Sequence, residues 1–329
     1  MSTGQSLNVE GSGQSRTIRS VTTQSGYLSY AAQEERCPTY RLANAPTSVA
    51  YIPTVLLRHS QLSARYAIVM SVNVERVWFI TGANRGIGLE LTKQLLQSPL
   101  NVVLAACRNP GQATTLQDLV PASNGRLHIL HLDVTDRQSI RDAHDAATAI
   151  LGDKGIDYLI NNAAIVSTHA HGPHASLLII PSALLKNLRE WDSAFTLDPD
   201  VMQQVFETNV VGPAYITQVF LPLVERSERK TVVNVSSELG RFTADYGTRS
   251  TSYSIAKAGL NMLTYKQEKE RPDIIFISLC PGWLKTDMGG QEAPNDVSVG
   301  VEGVIKTIVG LTPADSGKFF NWTGQDLPW

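Results

Sequence analysis

Tyr253 and Lys257 stand four residues apart in Tyr253-Ser-Ile-Ala-Lys257, so on a helix they share one face. A phenol beside an ammonium is an acid/base pair: the positive charge stabilises the phenolate and draws down a pKa that is ordinarily about 10. Alone, such a pair is commonly a solvated surface feature, so its context decides. That context is a second chemical signal, in which Val77-Trp78-Phe79-Ile80 runs into Thr81-Gly82-Ala83-Asn84-Arg85-Gly86-Ile87-Gly88 and then a helical pattern. Gly82 permits a tight turn, Gly86 lets backbone approach a pyrophosphate, and Gly88 lets the helix pack close while its N-terminus faces phosphate charge. A strand before and a helix after make this a dinucleotide site. Hydride transfer from a nicotinamide to a carbonyl carbon leaves negative charge on oxygen, and Tyr253 with Lys257 can answer it with a proton.

The elements that must hold these groups read as an α/β chain. Val77 to Thr81, Val102 to Ala106, Leu127 to Leu132, Tyr158 to Ile160, Thr231 to Val235 and Ile274 to Leu279 are apolar runs without strict alternation, as in strands covered on both faces. Between them lie helical patterns around Leu89 to Leu96, Ile140 to Leu151, Val201 to Val224 and Tyr253 to Lys269. Strand alternating with helix predicts a doubly wound parallel sheet, Rossmann-like, with helices on both faces in a single domain over 74–329.

Composition narrows the function. The 28 basic against 30 acidic residues leave a charge of −2, too weak a field to gather nucleic acid or an anionic membrane surface. The longest uncharged apolar run, Ser176 to Leu185, falls well short of the roughly 20 residues that span a bilayer. Cys37, Cys107 and Cys280 form no C-x-x-C pair, which disfavours a disulfide framework or zinc ribbon and suits a reducing, cytoplasmic setting. Residues 1–73 differ from the rest: six arginines, no lysine, three glutamates and no sustained hydrophobic period predict a disordered extension. An organelle transit peptide is the competing reading, opposed by Glu34 and Glu35, and a start at Met70 is a third. His169, His171 and His174 have no acid or cysteine near them, so no metal is expected.

Cofactor choice has its own residues. No carboxylate follows the second strand to bind the two ribose hydroxyls of NAD; Ala106-Cys107-Arg108 stands there, and Arg85 lies within the glycine loop. Two guanidinium groups can grip a 2′-phosphate with forked hydrogen bonds, so NADP(H) is expected.

These motifs, in this order, resemble the short-chain dehydrogenase/reductase family. Thr81-Gly82 to Gly88, Asp133-Val134, Asn161-Asn162-Ala163-Ala164, Asn209 in Thr-Asn-Val-Val-Gly, Ser236-Ser237, Tyr253 to Lys257 and Pro281-Gly282-Trp283-Leu284-Lys285-Thr286 fall in family register across about 74–329. The ending Gly317-Lys318-Phe319-Phe320-Asn321 through Trp329 resembles the carbonyl-reductase branch with the sniffer and C-factor proteins. The resemblance implies Tyr253 as acid/base and Lys257 also at the nicotinamide ribose. It implies Ser237 at the substrate oxygen, with Ser236 as fallback, and Asn209 in a water-linked proton relay. It further implies Asp133 at the adenine beside Val134, Asn162 near the adenine ribose, and Ile87, Leu284 and Thr286 at the nicotinamide end. The function so implied is NADP(H)-dependent interconversion of a carbonyl and an alcohol on a small molecule. A tailoring ketoreductase of secondary metabolism and a cofactor-binding signalling protein with little turnover are the alternatives.

Four departures from the family pattern stand out. An insert is expected around 167–191, read as a lid, an interaction element or a segment wrongly retained in translation. Ala164 replaces a customary glycine, and the loop Arg241 to Ser252 is long. The charged stretch after Met262 leaves a homo-oligomer open.

Overall fold

The computed structural model describes residues 74–166 and 192–329. The expected N-terminal extension, the start at Met70, and the insert around 167–191 with His169, His171 and His174 lie outside the described residues.

Eight strands form one sheet among the described residues: β1 Arg76–Thr81, β2 Asn101–Cys107, β3 Leu127–His131, β4 Tyr158–Asn161, β5 Thr231–Val235, β6 Ile275–Cys280, β7 Phe319–Asn321 and β8 Asp326–Leu327. Their order is β3-β2-β1-β4-β5-β6-β7-β8, with β8 alone antiparallel. The chain leaves β1 in one direction for β2 and β3 and returns to the other side for β4, so the sheet has a switch point. The crevice at that point opens at the carboxyl ends of β1 and β4, where the glycine loop begins.

Helices α1 Gly86–Leu95, α2 Arg137–Leu151, α3 Pro199–Phe206, α4 Gly212–Glu225, α5 Thr251–Glu270 and α6 Val297–Gly310 cover the sheet. Alternate residues of β1 serve different layers. Trp78 and Ile80 pack with Leu91 of α1 and Val304 of α6, whereas Val77 and Phe79 pack with Ile140 of α2 and Phe220 of α4. Every residue of β4, β5 and β6 is buried, which is why these runs lack a polar alternate.

Three features depart from the sequence expectation. β7 and β8 are strands of three and two residues, too short to show a period. Helix α6, VSVGVEGVIKTIVG, is dense in valine, isoleucine and glycine, and its helical form comes from packing Val301, Val304 and Ile308 on the sheet rather than from propensity. The pattern read as one helix over 201–224 is instead α3 and α4 joined by a π-helical turn, Glu207–Val211. Such turns recur at functional sites because the widened backbone re-aims a side chain.

Candidate active site

The glycine loop is welded to its neighbour strand. Thr81 Oγ1 accepts the N–H groups of Asn162 (2.9 Å) and Ala163 (3.0 Å), and Asn162 Nδ2 donates to Thr81 O (2.8 Å) and Gly82 O (3.3 Å). Asn162 thus braces the base of the crevice, with its amide turned into the loop. A Cβ on Gly88 would lie 2.4 Å from Gly82 O and 2.7 Å from that amide, so only glycine allows α1 this close. Gly82 and Gly86 hold positive φ angles of 67° and 54°. On the open side, a Cβ on Gly86 would first meet the Thr286 side chain at 3.5 Å, which brings the β1 and β6 loops together. Ile87 is half-buried against the core.

Helix α1 starts without a side-chain cap and without an acid in its first turn. Its leading N–H groups, directed at the loop, are donors that an anion satisfies. Arg85 makes an exposed ion pair with Asp287 (3.4 Å), and Arg108 is exposed just past β2. An ion pair exposed on both sides holds little energy, so Arg85 can exchange that partner at small cost. These features fit a dinucleotide carrying a 2′-phosphate: uncapped amides for the pyrophosphate, and cations with no carboxylate at the end of β2.

The other expected cofactor contacts are more committed. Asp133 Oδ1 accepts from Thr135 N (2.9 Å) and Thr135 Oγ1 (2.7 Å), which turns the chain after β3. Val134 is buried, and a Cβ on Gly212 would lie 2.7 Å from its carbonyl oxygen, so α4 packs directly on it. Thr286 Oγ1 accepts the Gly289 N–H (3.0 Å), bracing the β6 loop. The Leu284 side chain is buried against Gly300 of α6, so it supports the loop from behind.

At the carboxyl end of β5 the two serines part company, as successive strand residues must. Ser236 is buried and donates to Asn261 Oδ1 (2.6 Å), a structural bond that removes the fallback assignment. Ser237 Oγ accepts the Leu239 N–H (3.2 Å) and stands beside the Tyr253 phenol, which it favours in the ionised form. Tyr253 lies in the first turn of α5, with Lys257 one turn on. The Lys257 ammonium is 5.4 Å from the centre of the tyrosine ring and donates to Val235 O (2.7 Å). Asn209, fully buried in the π-helical turn, pairs with both backbone groups of Ile165, accepting at 2.9 Å and donating at 2.8 Å. Its amide anchors the loop after β4.

The electrostatics differ from expectation. The Tyr253 ring keeps some solvent contact, yet desolvation of its hydroxyl pushes the phenol well above its ordinary value, with Cys280 adding and Ser237 opposing. Lys257, only 2% exposed, is brought down to about 8 by the same burial. The lowering of Tyr253 by Lys257 is therefore not seen: desolvation dominates at both groups, and both shift toward their neutral forms.

This has a measurable consequence. The folded Lys257 releases its proton near 8 while the unfolded lysine holds it to about 10.5, so the unfolded chain binds more protons in between and stability rises with pH across that window. Between about pH 7.5 and about pH 9.5, denaturant unfolding is expected to show wild type gaining relative to Lys257→Met, with at most about 1.4 kcal/mol per pH unit. A constant difference between the two proteins would contradict the burial argument.

Sequence reasoning missed several neighbours. Tyr246 donates to the Glu238 carboxylate, and burial with that bond pushes it up to about 12. Arg241 donates to Pro328 O (2.9 Å), pinning the long loop to the chain end. Asp192, buried, reaches the start of α5. Each bond joins residues distant in sequence or inside an irregular loop, where no periodic signal marks it. Cys107 and Cys280 are buried thiols, as expected.

The family model described as short chain dehydrogenase matches residues 76–296. An uncharacterized oxidoreductase of Schizosaccharomyces pombe is 29% identical over 273 residues, covering 77% of this chain and 98% of its own length. The crystal structure of NADPH-bound carbonyl reductase from chicken fatty liver aligns with a TM-score of 0.67 at 30% identity, covering 78% of this chain and all of that one. Carbonyl reductase Sniffer of D. melanogaster aligns with a TM-score of 0.68 at 28% identity, with the same coverage.

Proposed function

The chain belongs to the short-chain dehydrogenase family, and from that premise we propose that it is an NADP(H)-dependent oxidoreductase interconverting a carbonyl and an alcohol on a small organic molecule. The observation that carries the proposal is the meeting of Tyr253, Ser237 and Lys257 at the carboxyl end of β5, beside a crevice built for a dinucleotide. A bound nicotinamide supplies or accepts the hydride. Tyr253, held protonated by burial, gives its proton to the carbonyl oxygen as charge develops there. Ser237 donates a hydrogen bond to the same oxygen, sharing the load that the tyrosine alone would bear. Lys257 keeps N–H donors beyond the one on Val235 O for the ribose hydroxyls, and its charge offsets the phenolate left after proton transfer. Asn209 acts by fixing the Ile165 loop at the edge of the site.

Arg108 and Arg85 are the groups for a 2′-phosphate, and the N-terminus of α1 receives the pyrophosphate. The domain is read as 74–329. A cytoplasmic setting suits the buried free thiols, and no helix among the described residues is long and apolar enough to cross a membrane.

The test is NADPH oxidation by the full-length protein at neutral pH against aldehydes, ketones and quinones. Turnover with at least one class is expected. NADPH binding without turnover on any of them would favour the signalling alternative, and no binding at all would overturn the cofactor assignment.

A further inference from the structure

We propose that Asp192 is a positioning residue for the reaction, docking a buried carboxylate on the N-terminus of α5 and thereby fixing Tyr253; the proposal rests on the oxidoreductase reading of this site. Helix α5 begins at Thr251, so the tyrosine is only its third residue and lies where helices fray. The residue before the helix cannot secure it: Ser250 is left-handed, with φ of 59°, and its side chain makes no capping bond. Asp192 does the capping from another segment. Its Oδ2 accepts the Ser252 N–H at 2.9 Å and its backbone oxygen accepts the Thr251 N–H at 3.3 Å. The two amides immediately before Tyr253 are thus held by one residue.

Asp192 is 1% exposed. A carboxylate at that depth is tolerated when it is hydrogen-bonded and facing the positive end of a helix. What it contributes to the site is geometry, since both amides it accepts from stand directly before Tyr253. The segment that carries Asp192 also leads into α3, whose Phe206 ring lies 3.3 Å from where a Cβ on Gly259 of α5 would stand. The front half of α5 is therefore held at two points by the same stretch of chain. The capped turn sets whether the phenol reaches Ser237, and so whether it meets a substrate oxygen.

The experiment compares full-length wild type, Asp192→Ala and Asp192→Asn in NADPH-dependent turnover, NADPH affinity and hydrogen exchange of peptides spanning 248–258. For Asp192→Ala, kcat is expected to fall about 30-fold while NADPH affinity stays within about twofold, the pattern of a misplaced acid in an intact site. Faster exchange should be confined to the first turn of α5. Asp192→Asn keeps an acceptor oxygen for the Ser252 amide, and its kcat should recover to within about threefold of wild type. Unchanged exchange and kcat in Asp192→Ala would overturn the proposal. So would parallel losses of kcat, NADPH affinity and exchange protection throughout the protein, which mark a general folding defect. An Asp192→Asn variant as impaired as the alanine would also overturn it, and this variant decides if the alanine protein does not fold. Absence of turnover in wild type would instead overturn the oxidoreductase reading, with the exchange pattern still deciding whether Asp192 holds the turn.

Discussion

Tyr253→Phe is expected to lose at least about 1,000-fold in kcat, within the range that a positioned general acid contributes, while NADPH affinity changes by no more than about twofold. The split follows from what the hydroxyl touches. It stands beside Ser237, the other group at the substrate oxygen, whereas the ring and the Lys257 ammonium 5.4 Å from its centre remain in the variant. Phenylalanine leaves no buried charge behind, and Ser237 keeps its bond from the Leu239 amide, so the fold has no cause to yield. Because burial holds the wild-type phenol protonated, carbonyl reduction starts with the proton already in place. Single-turnover NADPH oxidation and a fluorescence titration of NADPH read the two quantities separately. A variant turning over within tenfold of wild type would remove Tyr253 from the acid's role, and a matching loss of NADPH binding would recast the residue as part of the cofactor site.

How much of this site is legible in the sequence depends on whether local spacing or long-range packing sets each part. The glycine loop is legible because the demands on Gly82 and Gly88 arise within a single strand-turn-helix, and the contact of 2.4 Å that a Cβ on Gly88 would make is one the loop makes with its own helix. The central strands β4, β5 and β6 show as apolar runs because they are buried along their whole length. Tyr253 and Lys257 fall on one face through the helical period alone. Their protonation was not legible, since charge pairing can be inferred from proximity but desolvation belongs to the assembled layers. Asn209 illustrates the same limit: its identity stands out, yet its bonds to Ile165 cross 44 residues and give the amide a bracing task. Helix α6 was hidden by its own composition, and Asp192 by a separation of 60 residues from the amide it caps.

The second large effect concerns the cofactor's phosphate. Arg108→Ala is expected to weaken NADPH binding about 100-fold while NADH binding changes by less than about twofold, consistent with the loss of a charge-assisted, forked contact. Position is the reason for assigning the larger share to Arg108. It stands exposed just past the end of β2, on the side of the switch point where the sheet continues from β1 toward β3, and Ala106 and Cys107 before it are buried in the strand. Arg85 must first leave Asp287, and both partners of that pair are largely solvated, so Arg85→Ala should cost less than Arg108→Ala. With no carboxylate at the end of β2 to receive ribose hydroxyls, NADH gains nothing from removing the arginine, and the selectivity ratio falls through loss of NADPH affinity alone. Titrations of both nucleotides against the two variants measure that ratio directly. Equal weakening of NADPH and NADH by Arg108→Ala would assign the arginine to a feature the nucleotides share, such as the pyrophosphate or the adenine, and the preference would then have to arise from Arg85.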